Sequence, residues 1–302
     1  MKYLRNLSVI LGIGITLFAL LLTGCSSSQN TAKQTADLKM LRVGAIPSED
    51  GQKTRELYKP LMLYLEKKTG LPVDLFVATD YAGVIEAMRA GKLDIAYFGP
   101  FSYILAADKS GAEAFVVENR KIGGVSYKSL VITYPGSGID KLEDVRGRTY
   151  AFVDPASTSG NLIPRSFYRK FNIDPDKDFK SVVYAGGHDA ALLAVKNHKV
   201  DAASMDDITH NRMKDQGLVI DQDIKILYQS DPIPGSPWAW RKGLPEELKT
   251  RIKAAFLNVD KEDPEGLKAY GGSVGSYKET GDSAYDVIRE TAKILNLDLS
   301  KK

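Results

Sequence analysis

The stretch Asp154-Pro155-Ala156-Ser157-Thr158-Ser159-Gly160 follows a strand-like run at residues 150–153 and precedes a segment that can form a helix. A strand that leads into a helix N-terminus directs several backbone N–H groups, and here three hydroxyl groups, at one point. The positive end of the helix dipole adds to them. Ser and Thr clusters are also ordinary helix caps and turn formers. The stretch therefore predicts an α/β junction that either caps a helix or binds an anion.

The N-terminus has the composition of a secretory signal. Lys2 and Arg5 precede an apolar run at residues 7–22, and the run closes on Leu-Thr-Gly-Cys25 followed by serines. This is the pattern of a signal peptide with a lipoprotein cleavage box, and the apolar run is short for a membrane span. We predict that residues 1–24 are a signal peptide and that Cys25 is lipidated. An uncleaved signal anchor is the alternative.

Charge and cysteine content exclude several classes of protein. Cys25 is the only cysteine, which leaves neither a disulfide framework nor a thiolate metal site. The formal net charge of +3 falls to +1 without Lys2 and Arg5, and the remaining basic residues are interspersed with acids. Nucleic-acid binding through phosphate neutralisation is therefore not expected. We expect no metal and no cofactor. From the signal pattern we expect a location outside the cytoplasm, with the protein lipid-anchored to the outer face or periplasmic side of the cell membrane.

After residues 25–40, which we interpret as a polar tether, short apolar runs alternate with helical periodicity. This alternation is typical of α/β architecture with mostly parallel sheets. The strand-like runs are residues 41–46, 73–77, 93–98, 129–134, 150–153, 181–185, 200–204 and 225–229. The helical segments are residues 54–69, 82–90, 245–259 and 283–295, together with those that follow Gly160 and His188.

Two helix–strand units show a weak internal repeat at an offset of 107 residues. In this register Tyr81 lies opposite His188, each at the start of a helix. Gly99 lies opposite Asp206, each just past a strand. Ligands of open α/β sheets bind outside the carboxyl ends of strands and near helix N-termini. The repeat therefore predicts two such edges that face each other across a cleft.

Chain breakers indicate where two lobes meet. Pro135-Gly136-Ser137-Gly138 follows a strand-like run, and residues 231–237, with three prolines, offer a second crossing. We predict that residues 41–133 and 235–302 form lobe 1 and that residues 134–234 form lobe 2. Two crossings make a two-strand hinge.

Four motifs occur in a fixed order along the chain. They are Asp80-Tyr81-Ala82-Gly83, the stretch at residues 154–160, Ala185-Gly186-Gly187-His188, and Ile233-Pro234-Gly235-Ser236-Pro237 with Trp240-Arg241-Lys242. In this order they resemble the phosphate, phosphite and phosphonate binding proteins of ABC importers, especially the phosphonate-binding members. The resemblance implies a type II periplasmic-binding-protein fold, with two α/β lobes that close over a small phosphorus oxyanion. It also implies ABC permease subunits as partners, and we expect a monomer.

The resemblance also implies roles for individual residues. Ser157, Thr158 and Ser159 correspond to the hydroxyl and amide donors to the phosphorus-bound oxygens. Tyr81 corresponds to a phenol donor from lobe 1. His188 corresponds to the family's imidazole donor, although a lone histidine in a Gly-rich turn can also be a simple cap.

Two departures from the family pattern bear on the ligand. Members that take aminoethylphosphonate have acids that hold its ammonium group, where this chain has Ile208 and Ser236. An unpaired ammonium in a closed cleft is costly, which argues against an aminoalkyl ligand. Those members also have a tyrosine where this chain has Phe98, and either Tyr97 or Ser102 is a substitute for that contact.

An acid at the ligand site indicates that the bound oxyanion carries a proton. An ionised carboxylate only accepts hydrogen bonds, so beside an oxyanion it repels unless a proton lies between them. We expect Asp206 to accept the P–OH proton of a monoprotonated oxyanion; Asp207 is the alternative acid. A small P–H or P–CH₃ group fits against Tyr97, Phe98 or another apolar wall, whereas an added hydroxyl needs a partner. Phosphite or a small phosphonate such as methylphosphonate is therefore expected to bind better than phosphate.

Other classes of function are weaker interpretations. No Gly-x-x-x-x-Gly-Lys-Ser/Thr string is present. His188, Ser157 and Asp206 are the residue types of a catalytic triad. Ser157, however, does not lie in the Gly-x-Ser-x-Gly motif that presents a nucleophilic serine. We therefore expect a protein that is not an enzyme, with a phosphonate-processing enzyme as a remote alternative. A phosphate-binding or ligand-sensing lipoprotein that docks on a membrane receptor is the nearer alternative.

Overall fold

The computed structural model describes residues 38–269 and 273–297. The predicted signal peptide, Cys25 and the tether up to residue 37 lie outside the described residues. Within those two ranges, no helix combines the length and the apolar character that a membrane crossing requires.

The described chain alternates strands and helices. The strands are β1 Leu41–Ala45, β2 Val73–Val77, β3 Ile95–Tyr97, β4 Glu113–Arg120, β5 Ser126–Tyr127, β6 Ser129–Thr133, β7 Thr149–Phe152, β8 Ser181–Tyr184, β9 Ala202–Asp206, β10 Lys225–Gln229, β11 Ile233–Pro234, β12 Pro237–Trp240 and β13 Val274–Glu279. The helices are α1 Gly51–Thr69, α2 Tyr81–Arg89, α3 Pro100–Ser110, α4 Ile163–Lys170, α5 Pro175–Asp178, α6 His188–Lys196, α7 Asp207–Asp215, α8 Glu246–Glu262, α9 Pro264–Ala269 and α10 Asp286–Ile294.

Lobe 1 is built on a six-stranded sheet in the order β13-β4-β12-β3-β1-β2. β1 pairs in parallel with β2 and β3, and the other neighbouring strands pair antiparallel. Helix α1 begins three residues earlier than predicted because the Asp50 carboxylate accepts hydrogen bonds from the N–H groups of Gln52 and Lys53. It ends at Gly70, whose φ of 71° is the left-handed conformation that glycine adopts readily.

Lobe 2 is built on a five-stranded sheet in the order β10-β6-β9-β7-β8. β7 is parallel to both β8 and β9, whereas β6 is antiparallel to β9 and β10. Side chains of β7 alternate between two apolar clusters, with Tyr150 and Phe152 on one face and Ala151 on the other. Helices thus cover both faces of the sheet, as is usual in α/β lobes.

The chain enters lobe 2 earlier than the breakers at residues 135–138 predict. β6, placed at the end of lobe 1 by the boundary at residue 133, is instead an inner strand of the lobe 2 sheet. The crossing lies before it, where β5 pairs antiparallel with β11. Turn residues mark where a strand ends, but long-range pairing decides to which sheet it belongs. Two α/β lobes joined by a two-strand hinge are nevertheless the observed architecture.

The internal repeat also holds for the first and last residues of the two helices. Helices α2 and α6 begin at Tyr81 and His188 and end at residues with the same offset. Gly99 and Asp206 are the N-caps of α3 and α7, the helices that follow β3 and β9. Each lobe therefore directs two helix N-termini at the space between the lobes.

Candidate functional site

A cavity of about 430 Å³ lies between the lobes. Its wall includes seven residues predicted to bind the ligand. These are Tyr81, Tyr97, Ser157, Thr158, Ser159, His188 and Asp206. The structure therefore brings together side chains that are far apart in sequence and come from both lobes.

Residues 157–159 form one corner of this cavity. Ser157 is the N-cap of a turn at Thr158–Leu162 that continues into α4, and its Oγ accepts a hydrogen bond of 3.1 Å from the Gly160 N–H. A Cβ at Gly160 would lie 2.4 Å from Cγ2 of Val153, so only glycine allows this close packing against the residue that follows β7. The corner is therefore the start of a helix, held tightly against the sheet of lobe 2.

Two serines hold the carbonyl groups of this corner from behind. The Ser129 hydroxyl on β6 donates to the Ser159 carbonyl at 2.6 Å. The Ser204 hydroxyl on β9 donates to the Gly160 carbonyl at 2.7 Å. Residues 157–159 are themselves at most 2% exposed. Hydroxyl and amide donors held in a buried, preorganised arrangement suit an anion.

The same loop contacts lobe 1. Oγ1 of Thr158 accepts a hydrogen bond of 2.8 Å from the Phe101 N–H at the start of α3. Asp154 accepts from the Ala156 N–H at 2.7 Å in its own loop and from the Tyr81 N–H at 3.3 Å at the start of α2. Burial raises the pKa of Asp154. The loop that forms the corner therefore also caps two helices of the opposite lobe.

His188 reaches the cavity as a neutral imidazole. Its Nδ1 accepts a hydrogen bond of 3.0 Å from the Asp206 N–H. Burial lowers the pKa of His188, against the opposing effect of Asp206. Because Nδ1 is an acceptor, the ring proton of the neutral form is on Nε2, which makes His188 a donor.

Asp206 lies directly beside this ring. Its Oδ1 accepts from the Thr209 N–H at 2.5 Å and so caps α7, while Oδ2 lies 3.2 Å from Nδ1 of His188. Asp207, the alternative acid, accepts from the Lys128 N–H at 2.9 Å, next to the hinge. It does not belong to the cavity wall that the described residues form.

Three tyrosines contribute phenol groups to the wall. Tyr81 begins α2, Tyr97 ends β3, and Tyr127, which the sequence interpretation missed, belongs to the hinge strand β5. Burial raises the pKa of each hydroxyl well above its ordinary value. All three therefore keep their protons near neutral pH. The Tyr97 hydroxyl lies 3.3 Å from a carboxylate oxygen of Glu118.

Two of the positions at which the chain departs from the family pattern line the cavity, and a third does not. Ile208 and Ser236, aligned with the ammonium-binding acids, both line the cavity. Of the described residues, Phe98 and Ser102 do not: Phe98 is fully buried, and the Ser102 hydroxyl donates to the Gly99 carbonyl at 3.0 Å. The expected contact of a ligand with Phe98 is therefore not supported, whereas Tyr97 is in place.

Charged side chains that the sequence interpretation missed also line the cavity. Glu49 from the β1–α1 loop forms an ion pair with Arg212 of α7 across the cleft. Glu118 and Arg120 form a second, buried pair on β4. Partners 163 residues apart, such as Glu49 and Arg212, share no local pattern that a single sequence would reveal.

The described residues contain no group of three or more His, Cys, Asp or Glu side chains placed to hold a metal ion. The residues predicted to bind the ligand offer hydroxyls, amides, phenols and one imidazole, and the wall also carries Arg120 and Arg212. Such a set suits hydrogen bonding to an oxyanion rather than metal coordination.

Comparison with known proteins agrees with this geometry. Residues 43–285 match the family described as ABC transporter, phosphonate, periplasmic substrate-binding protein. The chain is 36% identical over 228 residues to the phosphonates-binding periplasmic protein of Escherichia coli K12, covering 74% of this chain and 67% of that one. It is 34% identical over 265 residues to the phosphate-import protein PhnD of Mycolicibacterium smegmatis, covering 82% of each.

A solved structure is similar in both fold and sequence. It is the binding-protein component of an ABC phosphonate transporter from Pseudomonas aeruginosa, with a TM-score of 0.80, 30% identity, and coverage of 86% of this chain and 87% of that one. Proteins of this kind act outside the cytoplasm, bind a small substrate for a permease, and are not enzymes. The chain belongs to the family of periplasmic substrate-binding proteins of phosphonate ABC transporters.

Proposed function

We propose that this protein is a solute-binding lipoprotein that captures phosphite or a small phosphonate such as methylphosphonate between its lobes and delivers it to an ABC permease. The observation that carries the proposal is the buried corner at residues 157–159. There a helix N-terminus and three donor residues share one cavity with Tyr81 and His188. A tetrahedral oxyanion offers acceptors in directions that such a donor set can satisfy together.

The charge of the ligand is balanced by dipoles and hydrogen bonds. Neutral His188 donates from Nε2, and the buried phenols of Tyr81 and Tyr127 remain protonated. The helix dipole at the corner adds a partial positive charge. Donors that are fixed before the ligand arrives need little rearrangement, which favours affinity.

Asp206 selects the protonation state in this proposal. Its Oδ2 and Nδ1 of His188 are both acceptors, 3.2 Å apart. A proton between Asp206 and the ligand relieves repulsion, and the P–OH group of a monoprotonated anion supplies it. A fully deprotonated anion has no such proton.

In this proposal the substituent on phosphorus lies against an apolar part of the wall, such as Tyr97 or Ile208. Ile208 and Ser236 both line the cavity, and neither can neutralise an ammonium group. A P–H or P–CH₃ group needs no hydrogen-bond partner, whereas an aminoalkyl group needs an acid. The wall acids Glu49 and Glu118 are each already paired with an arginine. Small, uncharged substituents are therefore favoured.

Phosphate is the second candidate ligand. The M. smegmatis relative is named a phosphate-import protein, and Arg120 lines this cavity beside its partner Glu118. Phosphate carries one more oxygen than phosphite, and that oxygen needs its own donor or acceptor in the site.

Anchoring through a lipid on Cys25 and a monomeric state complete the proposal. The composition of residues 1–40 supports the lipid anchor. Mass spectrometry of the mature N-terminus tests it, because an unmodified Met1 contradicts the lipoprotein assignment.

Titration calorimetry of the purified protein with phosphite, methylphosphonate, phosphate and aminoethylphosphonate tests the ligand assignment. We expect phosphite or methylphosphonate to bind most tightly. Tightest binding of phosphate would favour the second candidate. Tightest binding of aminoethylphosphonate would contradict the proposed role of Ile208 and Ser236.

A further inference from the structure

The β1–α1 loop of lobe 1 meets lobe 2 at the edge of the cavity. The His188 N–H at the start of α6 donates to the Ser48 carbonyl at 2.8 Å. The Asp50 N–H donates to the Asp189 carboxylate at 3.3 Å, and the Lys53 ammonium lies 3.8 Å from the same group. These contacts join residues of the two lobes, so we expect them to be lost when the cleft opens.

Glu49 is the acid at the centre of this contact. Its carboxylate pairs with the Arg212 guanidinium, which also lies 3.3 Å from the Thr209 hydroxyl. The two side chains are 14% and 21% exposed, and both line the cavity. Closing the cleft therefore takes the Glu49 carboxylate out of water.

The groups around Glu49 do not favour its negative charge. Besides Arg212 on α7, the acids Asp206 and Asp189 face it from lobe 2, with neutral His188 beside them. Burial, strengthened by the two acids and opposed by Arg212, raises the pKa of Glu49 to about 7. One arginine thus offsets only part of the cost of burying this carboxylate.

We propose that Glu49 and Arg212 set the affinity of the cleft, with Glu49 taking up a proton when the lobes close and Arg212 limiting the cost of closure. The inference rests on the proposed function and adds to it a pair of residues that act through lobe closure and not through contact with the ligand.

The sign of the pH dependence follows from linkage. The pKa of Glu49 is about 7 in the structure, raised from its ordinary value of 4.5. We expect Glu49 to return to that ordinary value when the cleft opens and water reaches the carboxylate. The closed form binds more protons, so it is favoured as the pH falls from about 7 towards 4.5. Through Glu49 alone, affinity at pH 6 is expected to exceed affinity at pH 8 by about tenfold.

Other groups titrate on closure too. Burial lowers the pKa of His188, which acts in the opposite direction, and raises the pKa of Asp154, which acts in the same direction. The ligand has its own pKa. A comparison of the wild type with Glu49→Gln cancels these contributions, because glutamine keeps the shape of the side chain and removes only its titration.

Calorimetry in two buffers of different ionisation enthalpy measures the protons taken up on binding. With methylphosphonate and with phosphite as probes at pH 7, we expect the wild type to take up about half a proton more than Glu49→Gln. At pH 8 the affinity of Glu49→Gln is expected to equal or exceed that of the wild type. Glu290→Gln, the same substitution at an exposed ion pair on α10, is the control and is expected to behave as the wild type.

Arg212→Met tests the same ion pair by removing the guanidinium instead of the carboxylate. Without Arg212 the pKa of Glu49 rises further, so we expect weaker binding at pH 8 and more proton uptake at that pH than in the wild type. In the Glu49→Gln background the same change is expected to alter affinity by less than about threefold, as the double-mutant cycle requires for coupled residues. If Glu49→Gln fails to fold, proton uptake by Arg212→Met alone still tests the inference.

The outcomes separate the inference from the proposed function. Equal proton uptake by the wild type and Glu49→Gln, with binding retained, overturns the inference alone. So does an equal loss of affinity on Arg212→Met in both backgrounds, because Arg212 would then act on the ligand directly. A wild-type protein that binds neither probe overturns the proposed function, and the inference with it.

Discussion

Thr158 and Phe101 join the two lobes through one hydrogen bond, in which Oγ1 of Thr158 accepts from the Phe101 N–H at 2.8 Å. The N-cap of α3 is Gly99, which offers no side chain for capping. Thr158 therefore supplies from lobe 2 the acceptor that this helix end needs. A hydroxyl can accept one bond and donate its proton in another, so the same side chain can contact both lobe 1 and an anion.

Thr158→Val tests this double role. Valine has the same shape but no hydroxyl, and we expect a loss of about 1.5–3 kcal/mol, or ten- to a hundredfold in affinity for methylphosphonate. Thr158→Ser keeps the hydroxyl and is expected to stay within a few fold of the wild type. Titration calorimetry measures both, and equal affinity of the valine variant and the wild type would contradict the role.

His188 is expected to stay neutral in the closed protein at pH values where a free histidine is half protonated. Its pKa is lowered from 6.5 by burial, so the folded form binds fewer protons than the unfolded form. The contribution of His188 to stability is then present above pH 6.5 and is lost as the pH falls through and below that value. Long-range ¹⁵N NMR of the ring checks the state, and a proton on Nδ1 rather than Nε2 at pH 7 would contradict it.

Gly187→Ala is expected to weaken closure without unfolding the protein. A Cβ at residue 187 would lie 2.8 Å from Oδ1 of Asp189 and 3.3 Å from Cα of Glu49, which belongs to the opposite lobe. We expect about a tenfold loss of affinity, since backbone on the far side must move away. The thermal midpoint of the ligand-free protein is expected to change little.

Gly281→Ala is the matched control for this change. A Cβ there meets no atom within 4 Å, and its φ of −151° suits any residue. Affinity equal to the wild type is expected for the control. A similar loss in both variants would show that the effect of Gly187→Ala is not specific to the cleft.

Ser236→Asp is expected to change the ligand preference. Ser236 lines the cavity at a position aligned with an ammonium-binding acid of the family, and an aspartate there can pair with an amino group. Binding of aminoethylphosphonate is expected to improve by tenfold or more relative to methylphosphonate, which corresponds to about 1.4 kcal/mol. Ser236→Asn, which has the same size but no charge, is expected to show no such gain, and a gain in both variants would contradict the electrostatic reason.

The elements that frame the corner follow from local pattern. The strand before Asp154, the helix starts at Tyr81 and His188, and the offset between them depend on spacing within a few turns of chain, which a single sequence contains. Hydroxyl donors at a helix N-terminus are likewise a local property. These parts of the site could therefore be predicted before the structure.

The remaining features depend on contacts between distant segments. β4 carries the buried pair Glu118 and Arg120, which interrupts its apolar pattern, and β12 begins with Pro237; neither was predicted as a strand. β6 was predicted as a strand but assigned to the wrong lobe. The pair Glu49 and Arg212 forms only when the lobes meet, so no property of either segment alone reveals it.

The hinge is narrow: Ser126–Tyr127 pairs with Ile233–Pro234 over two residues on each side. Tyr127 of this hinge also lines the cavity. We expect a rotation of the lobes about this hinge to displace the Tyr127 ring from the cavity wall. On this expectation, opening of the cleft and loss of part of its binding wall are one movement and not two successive ones.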